Sequence, residues 1–400
     1  MTVAHIAFKY GSCNTGGAAI AATRLHNALL AHGVESHYIC IHQCESGKNV
    51  HELPTGWRRC LFIMSTKISR CVWKFSPYRK SICVNVVPLF GLERELARIR
   101  PDVVHVQWIN NDVCSFEQLA HLPYRIVFNL HDLYLLNAIE FLPCGDRRFI
   151  EGFMPTNSTV LERYMFERKR RLLSRPDFRL IGPSEWVCKQ ARDSIIGRDK
   201  MTFAISNIIA SEYFNEGERR KNERFTILFG SGGGRQQSLK GFEDLVAVIK
   251  MLPTKVRENC ELHILGENDK DGNIEGMATH FLGKVTSSKR MVAIYRSADV
   301  FAFPSRQETQ GMMKIEALLC GTPVVAFNRS ACAEGIVVGE NGFVADDGDI
   351  QGFVEGIMMY YSLFKRGTLP QITMQIAKKA RAHYSDDVLI TRICEVYRAG

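Results

Sequence analysis

The chain has 400 residues, enough for two domains with cores of their own. With 46% hydrophobic and 23% charged residues, it does not read as a disordered, collagenous or membrane-embedded sequence. Its net charge of +9 lies wholly in the first half: residues 1–205 hold 27 Lys and Arg against 18 Asp and Glu, and the remainder holds 24 of each. The 13 cysteines include no CxxC pair, which fits buried free thiols in a reducing cytoplasm and gives no support to disulfides or a metal site.

Residues 3–8 are predicted to form a strand that runs into a glycine turn, without the charged region, long apolar stretch and cleavage site of a signal peptide. Gly16 and Gly17 open a helix through residue 30, and residues 35–41 form a second strand. Short apolar runs follow at 103–106, 125–130 and 179–181, with helices at 92–100 and 158–173 between them. This is strand–helix alternation, hence a parallel sheet covered by helices. The polar, charge-rich stretch 211–224 reads as the linker between domains. The alternation then restarts. Strands are expected at 225–229, 261–265, 300–303 and 323–327, with helices at 241–252, 288–297 and 314–320. No apolar run is long enough to span a bilayer.

In doubly wound folds, ligands bind at turns beyond the carboxyl ends of strands. The densest such turn is 303–326, a strand, a loop, a helix, a glycine stop and another strand. Gly311 lies at the helix start, where free N–H groups and the dipole favour an anion such as a diphosphate. Glu308 in the loop and Glu316 in the helix are suited to accept hydrogen bonds from a sugar and a ribose diol. A second turn, Gly230-Ser231-Gly232-Gly233-Gly234-Arg235, leads to Lys240-Gly241; it lets backbone approach phosphate, and Lys240 supplies a point charge. Gly16 and Gly17 close a third turn that lacks a GxGxxG fingerprint, which argues against NAD. His131 follows the strand ending at 130, and His105 ends the strand before it.

The spacing Glu308–x7–Glu316, the tail Ala317-Leu318-Leu319-Cys320-Gly321-Thr322-Pro323-Val324-Val325 and Leu239-Lys240-Gly241-Phe242 together resemble retaining GT-B glycosyltransferases of family 4. The segments around His105-Val106-Gln107-Trp108 and Asn129-Leu130-His131-Asp132 are similar to a branch that builds bacterial surface polysaccharides, of the colanic-acid type. The resemblance implies an α/β GT-B fold, two doubly wound Rossmann-like domains facing a cleft. Residues 1–205 would form the acceptor side, 206–380 the nucleotide-sugar side, and 381–400 a helix returning to the first domain.

The resemblance also implies an enzyme that moves a sugar from a nucleotide-diphosphate donor to a saccharide or polyprenyl-diphosphate-linked saccharide, with retention of configuration. Catalysis would fall to His131, Glu308 and Lys240. Donor binding would fall to Gly16, Gly17, Arg235, Lys240, Lys284, Val285, Glu308, Gln310, Gly311, Met312 and Glu316. The family's usual arginine after the glycine-rich strand is Ser231 here, and Arg235 is the candidate substitute. His131 would position the sugar or share its developing positive charge. The family's proposed route is a same-face displacement in which the leaving phosphate accepts the acceptor's proton. No metal and no cofactor beyond the donor substrate are expected. Rival readings are a nucleotide-sugar epimerase or hydrolase on the same fold, and a non-catalytic sugar-nucleotide-binding protein. No recognition motif supports a nucleic-acid partner.

Residues 57–80 hold seven basic residues and no acidic one, with Trp57, Leu61, Met64, Ile68, Val72 and Phe75 at helical spacing. An amphipathic cationic helix of this kind suits an anionic membrane surface, which places the protein at the inner face of the cell membrane. Arg168-Lys169-Arg170-Arg171 is a second basic cluster for the same task.

Overall fold

A computed structural model describes residues 1–11, 16–74, 83–110, 112–140, 145–217, 219, 222–231 and 238–399. The chain divides into two compact units, Met1–Ile208 with Asp386–Gly400, and Ile209–Ser385.

The first unit begins with β1 (Thr2–Tyr10), α1 (Gly17–Ala31), β2 (Glu35–Gln43), β3 (Val50–Glu52), α2 (Trp57–Lys74) and α3 (Leu92–Ile99). It continues with β4 (Val103–Val106), α4 (Phe116–His121), β5 (Arg125–Asn129), α5 (Arg148–Glu151), α6 (Val160–Leu172), β6 (Arg179–Gly182), α7 (Glu185–Asp193) and β7 (Met201–Ala204). Its sheet runs in the order β3-β2-β1-β4-β5-β6-β7, and every pairing is parallel. Val3 through Ala7 are all buried, as expected for a central parallel strand covered on both faces. Side-chain caps start three helices: Ser115 accepts from the Gln118 amide, Ser184 from Val187, and Thr159 forms a capping box with Glu162.

The second unit holds β8 (Phe225–Gly230), α8 (Phe242–Met251), α9 (Thr254–Glu258), β9 (Cys260–Leu265), β10 (Gly272–Ile274), β11 (Met277–Gly283) and α10 (Ser288–Ser297). Then come β12 (Val300–Phe303), α11 (Met312–Leu319), β13 (Val324–Phe327), β14 (Gly342–Ala345), α12 (Ile350–Lys365) and α13 (Leu369–His383). The strand order is β10-β11-β9-β8-β12-β13-β14, parallel except for the β10–β11 edge hairpin. Both sheets are therefore doubly wound and Rossmann-like.

The last helix, α14 (Asp386–Arg398), belongs to the first unit. Leu389, Ile390, Ile393 and Tyr397 pack with Val3, Leu29, Val103 and Val127. Arg125 and Arg179 donate to the carbonyls of Tyr397 and Val396, both at 2.5 Å. Two cations thus satisfy the exposed carbonyls and the negative end of the helix dipole.

Two expectations need correction. The charge-rich stretch 211–224 does not link the units; the boundary precedes it, and its described part is built into the second unit. Tyr213 is buried in the core, half-buried Arg219 donates to Thr322 Oγ1 at 3.1 Å, and Asn222 donates to Asp299 Oδ2 at 2.9 Å. The basic run at 168–171 is also half internal. Arg168 donates to the carbonyls of Val84 and Asn85, and fully buried Lys169 donates to those of Tyr134 (2.7 Å) and Asn137 (3.0 Å). Burial holds Lys169 well below the usual lysine pKa. These two side chains brace the fold, and only Arg170 and Arg171 are exposed.

Candidate functional site

Topology locates the candidate sites. In the second unit, the chain leaves β8 for β9 on one side and later returns to β12 on the other, so β8 and β12 flank a switch point where ligands bind. The loops there are the stretch ending at Lys240 and the 304–311 loop. In the first unit, the switch lies between β1 and β4.

The two loops of the second unit are locked together. Gly241 has φ +70°, and a Cβ there would sit 2.1 Å from the Pro304 carbonyl oxygen, so only glycine allows this approach. The Arg306 amide donates to the Leu239 carbonyl at 2.8 Å. This docking brings Lys240 Nζ within 2.6 Å of Glu308 Oε1. Lys240 is therefore not the free charge that the sequence suggested. It is anchored by one of its three N–H donors, and the carboxylate holds the ammonium in place. The Glu308 amide donates to Ser330 Oγ at 2.9 Å, which fixes the loop from its other side.

Gly311 is the N-cap of α11, with φ +77°. A Cβ there would meet the Phe303 ring at 2.9 Å. At the far end of β8, a Cβ on Gly230 would clash with Met313 at 2.1 Å, so β8 and the first turn of α11 pack closely. Glu316 lies just over one turn into α11, is 8% exposed, and accepts from the Tyr295 hydroxyl at 3.2 Å. Burial and the Glu316 charge hold the Tyr295 pKa far above its ordinary value, so the phenol remains a donor. Gln310 is buried beside this helix start and Met312 is half-buried. The arrangement combines a lysine, a helix N-terminus and two carboxylates, the elements needed to hold a phosphorylated, hydroxyl-bearing ligand.

Lys284 and Val285 follow the carboxyl end of β11. The Gly266 amide donates to the Gly283 carbonyl at 2.9 Å, and the Gly283 amide donates to Glu267 at 3.0 Å, which ties the loops after β9 and β11. Lys284 is exposed, and Val285 packs on the core around Ile315. Arg235 lies outside the described residues.

In the first unit, Gly16 caps α1 with φ −73°, and added Cβ atoms at Gly16 and Gly17 would meet open space. Among the described residues, no contact demands glycine at either place. His131 follows β5, and its Nε2 lies 2.9 Å from Gln107 Oε1. That oxygen also accepts from Asn129 Nδ2 at 3.1 Å, while Gln107 Nε2 lies 3.1 Å from His5 Nδ1. With the amide in this orientation, His131 is the Nε2–H tautomer, and Nδ1 keeps its lone pair. Burial lowers the His131 pKa to about 4, so the ring is neutral at pH 7. That opposes a role in sharing positive charge and leaves positioning. The neighbouring Asp132 accepts from Trp108 Nε1, Asn110 Nδ2 and the Tyr134 amide at 2.8–2.9 Å. His105, by contrast, is wholly buried with Nδ1 2.6 Å from the Tyr397 hydroxyl, inside the sheet core.

Sequence reasoning missed Lys314. Its Nζ is buried and donates to the carbonyls of Ala331 (2.7 Å), Cys332 (3.2 Å) and Glu334 (2.6 Å), with its pKa lowered by burial to about 8. It secures the 331–334 loop behind Glu308. A lysine that joins Glu316 as one of two charged residues in the run 312–319 was the available signal. Gln107, the partner of His131, and His5, which contacts Gln107 in turn, were also missed.

Residues 15–204 match the family described as Glycosyltransferase Family 4, and residues 225–362 match Glycosyl transferases group 1. A capsular polysaccharide biosynthesis glycosyltransferase, CapM of Staphylococcus aureus, is 26% identical over 182 residues, 43% of this chain and 46% of that protein. The chain spans about half the length of such curated relatives. The sucrose-phosphate synthase of Thermosynechococcus elongatus shares the fold at TM-score 0.68 and 16% identity, over 99% of this chain and 98% of that one. The Anabaena protein Alr3699/HepE, solved in complex with UDP and glucose, aligns at TM-score 0.61 and 14% identity over all of both chains. Two Rossmann-like units, each matched over most of its length by a glycosyltransferase family model, give this chain the fold of the GT-B glycosyltransferases and make it similar to them.

Proposed function

We propose that this protein transfers a sugar from a nucleotide-diphosphate donor to a saccharide or lipid-linked saccharide acceptor, with retention of configuration, in bacterial surface polysaccharide synthesis. The observation that carries the reading is the Lys240–Glu308 contact at the β8/β12 switch point, beside the N-terminus of α11. Lys240 keeps donors for phosphate oxygens, and the helix N-terminus adds partial positive charge. Both strengthen as the diphosphate departs, which stabilises the transition state more than the ground state. Glu308 takes a hydroxyl of the donor sugar and Glu316 the ribose. His131 contributes as a neutral, tautomer-fixed imidazole that positions a hydroxyl. The capsular relative and the UDP-bound Anabaena structure support the pathway and the donor class.

The membrane reading is part of the same proposal. On α2, Trp57 (70% exposed), Leu61 and Met64 form one outward apolar face, while Phe62 alone of the described apolar residues there is buried. Phe75, Arg79 and Lys80 lie outside the described residues. An exposed apolar stripe beside arginines suits an anionic bilayer, where a lipid-linked acceptor resides. No described helix is long and apolar enough to cross a membrane.

The test is turnover. Purified protein, UDP-, GDP-, ADP- and dTDP-sugars and polyprenyl-diphosphate saccharide extracts are combined, and the product is followed by NMR. Acceptor-dependent release of one nucleoside diphosphate, with the donor's anomeric configuration kept, is expected. Free sugar or an epimer formed without acceptor would contradict the proposal and favour the hydrolase or epimerase.

A further inference from the structure

Away from the switch point, the partly open face of the second sheet carries Glu261 and His263 on β9 and His280 on β11. The parallel register pairs Thr226 with Glu261 and His263 with His280, so these side chains stand in one row on one face. His263 Nε2 lies 3.1 Å from Glu261 Oε1, and His280 Nε2 lies 4.0 Å from Glu261 Oε2. The three ligand atoms all fall within 4.8 Å of one another. Two ligand atoms on one tetrahedral zinc stand roughly 3.3 Å apart, given bonds of about 2.0–2.1 Å. Small side-chain rotations therefore bring all three onto a single ion.

The surroundings are those of a metal site. Asp271, at the start of the β10–β11 hairpin, lies with Oδ2 2.8 Å from His280 Nδ1, while its Oδ1 accepts from the Phe281 amide at 3.1 Å. A carboxylate on the remote nitrogen fixes the tautomer and leaves Nε2 as the ligating lone pair. Thr226 Oγ1 donates to Glu261 Oε1 at 2.9 Å and orients the carboxylate from the neighbouring strand. The three groups are half-buried, so an ion reaches them from solvent and keeps a fourth position for water.

From this juxtaposition we infer a divalent transition-metal site, best suited to Zn²⁺, formed by Glu261, His263 and His280 with Asp271 as the orienting partner. Two imidazoles and one carboxylate are a borderline donor set that prefers Zn²⁺ over Mg²⁺ or Ca²⁺. The site is distinct from the residues proposed for the donor. The ion ties β9 to β11 and, through Asp271, to the hairpin at the sheet edge. The ligands follow a strand register, with 16 residues between His263 and His280, and match no local motif, so such a site leaves no motif in the sequence.

The test uses the full chain freed of metal by chelation. Calorimetric titration with ZnCl₂ and thermal melts are run on wild type, on His263→Ala/His280→Ala and on Asp271→Asn, with far-UV CD to confirm folding. Wild type is expected to bind one more zinc ion than the double variant and to melt higher with zinc but not with MgCl₂. Asp271→Asn is expected to weaken that ion's binding at least tenfold. His51→Ala in the first unit should behave as wild type. An equal zinc stoichiometry and equal melting response in folded double variant and wild type would overturn the inference, as would a wild type that ignores zinc. If the double variant does not fold, the tenfold loss in Asp271→Asn decides.

Discussion

Lys240 and Glu308 are 68 positions apart, yet their side chains touch at 2.6 Å because Gly241 lets the turn lie on the Pro304 carbonyl. Three residue-level outcomes follow. Lys240→Ala should lower kcat by about 10²–10³-fold with a smaller change in KM, since its charge acts most strongly on the departing diphosphate. Gly241→Ala should lower activity although it removes no functional group, because the new Cβ displaces the loop that carries Lys240; initial rates on folded protein check both. The third outcome concerns pH. Burial lowers the pKa of His26 to about 4, His131 to about 4 and His105 to about 3. An unfolded chain holds these rings near 6.5 and takes up their protons first, so this stability is complete above about pH 6.5 and is lost as pH falls toward 4. Each ring contributes up to about 1.4 kcal/mol per pH unit in that window. The Tm should fall steeply from pH 6.5 to 4.5, and a flat profile would show that the rings are not held neutral. Of these residue-level features, the 303–326 turn was legible in the sequence because its strand, loop and helix are contiguous. The anchoring of Lys240 and the Gln107 link between His5 and His131 were not, since they depend on tertiary contacts across 68 and more than 100 positions.

Among the elements, α14 shows how far the order along the chain can depart from the order in space. It follows the second unit but completes the core of the first, with Ile393 3% exposed and the Tyr397 hydroxyl on His105. Ile393→Ala should cost about 2–5 kcal/mol. Tyr397→Phe should cost about 1–3 kcal/mol by leaving a buried imidazole nitrogen without its partner. Denaturant unfolding measures both, and near-zero changes would mean that the helix is not an integral part of that core. The strand–helix alternation was readable because parallel strands are short apolar runs between helices. Strands such as β3 and β10 were not readable; they are three residues long and carry no apolar periodicity. The basic run at 168–171 misled because composition does not reveal that Arg168 and Lys169 end on backbone carbonyls in the core.

For the whole molecule, the excess of positive charge belongs to residues 1–205, while the half that carries Lys240 and α11 is balanced. Under the proposed function, donor recognition rests on Lys240 and a helix end, and the bulk charge is left to serve a membrane. Wild type should co-sediment with phosphatidylglycerol-rich vesicles and release in high salt, and a Trp57→Ser/Leu61→Ser/Met64→Ser variant should stay in solution. The central claim, that the β8/β12 switch point holds a nucleoside diphosphate through Lys240, is tested most directly by calorimetric titration of UDP, GDP, ADP and dTDP. One of them should bind wild type and bind folded Lys240→Ala at least tenfold more weakly. Equal affinity in the two proteins, or no binding of any diphosphate to wild type, would contradict it.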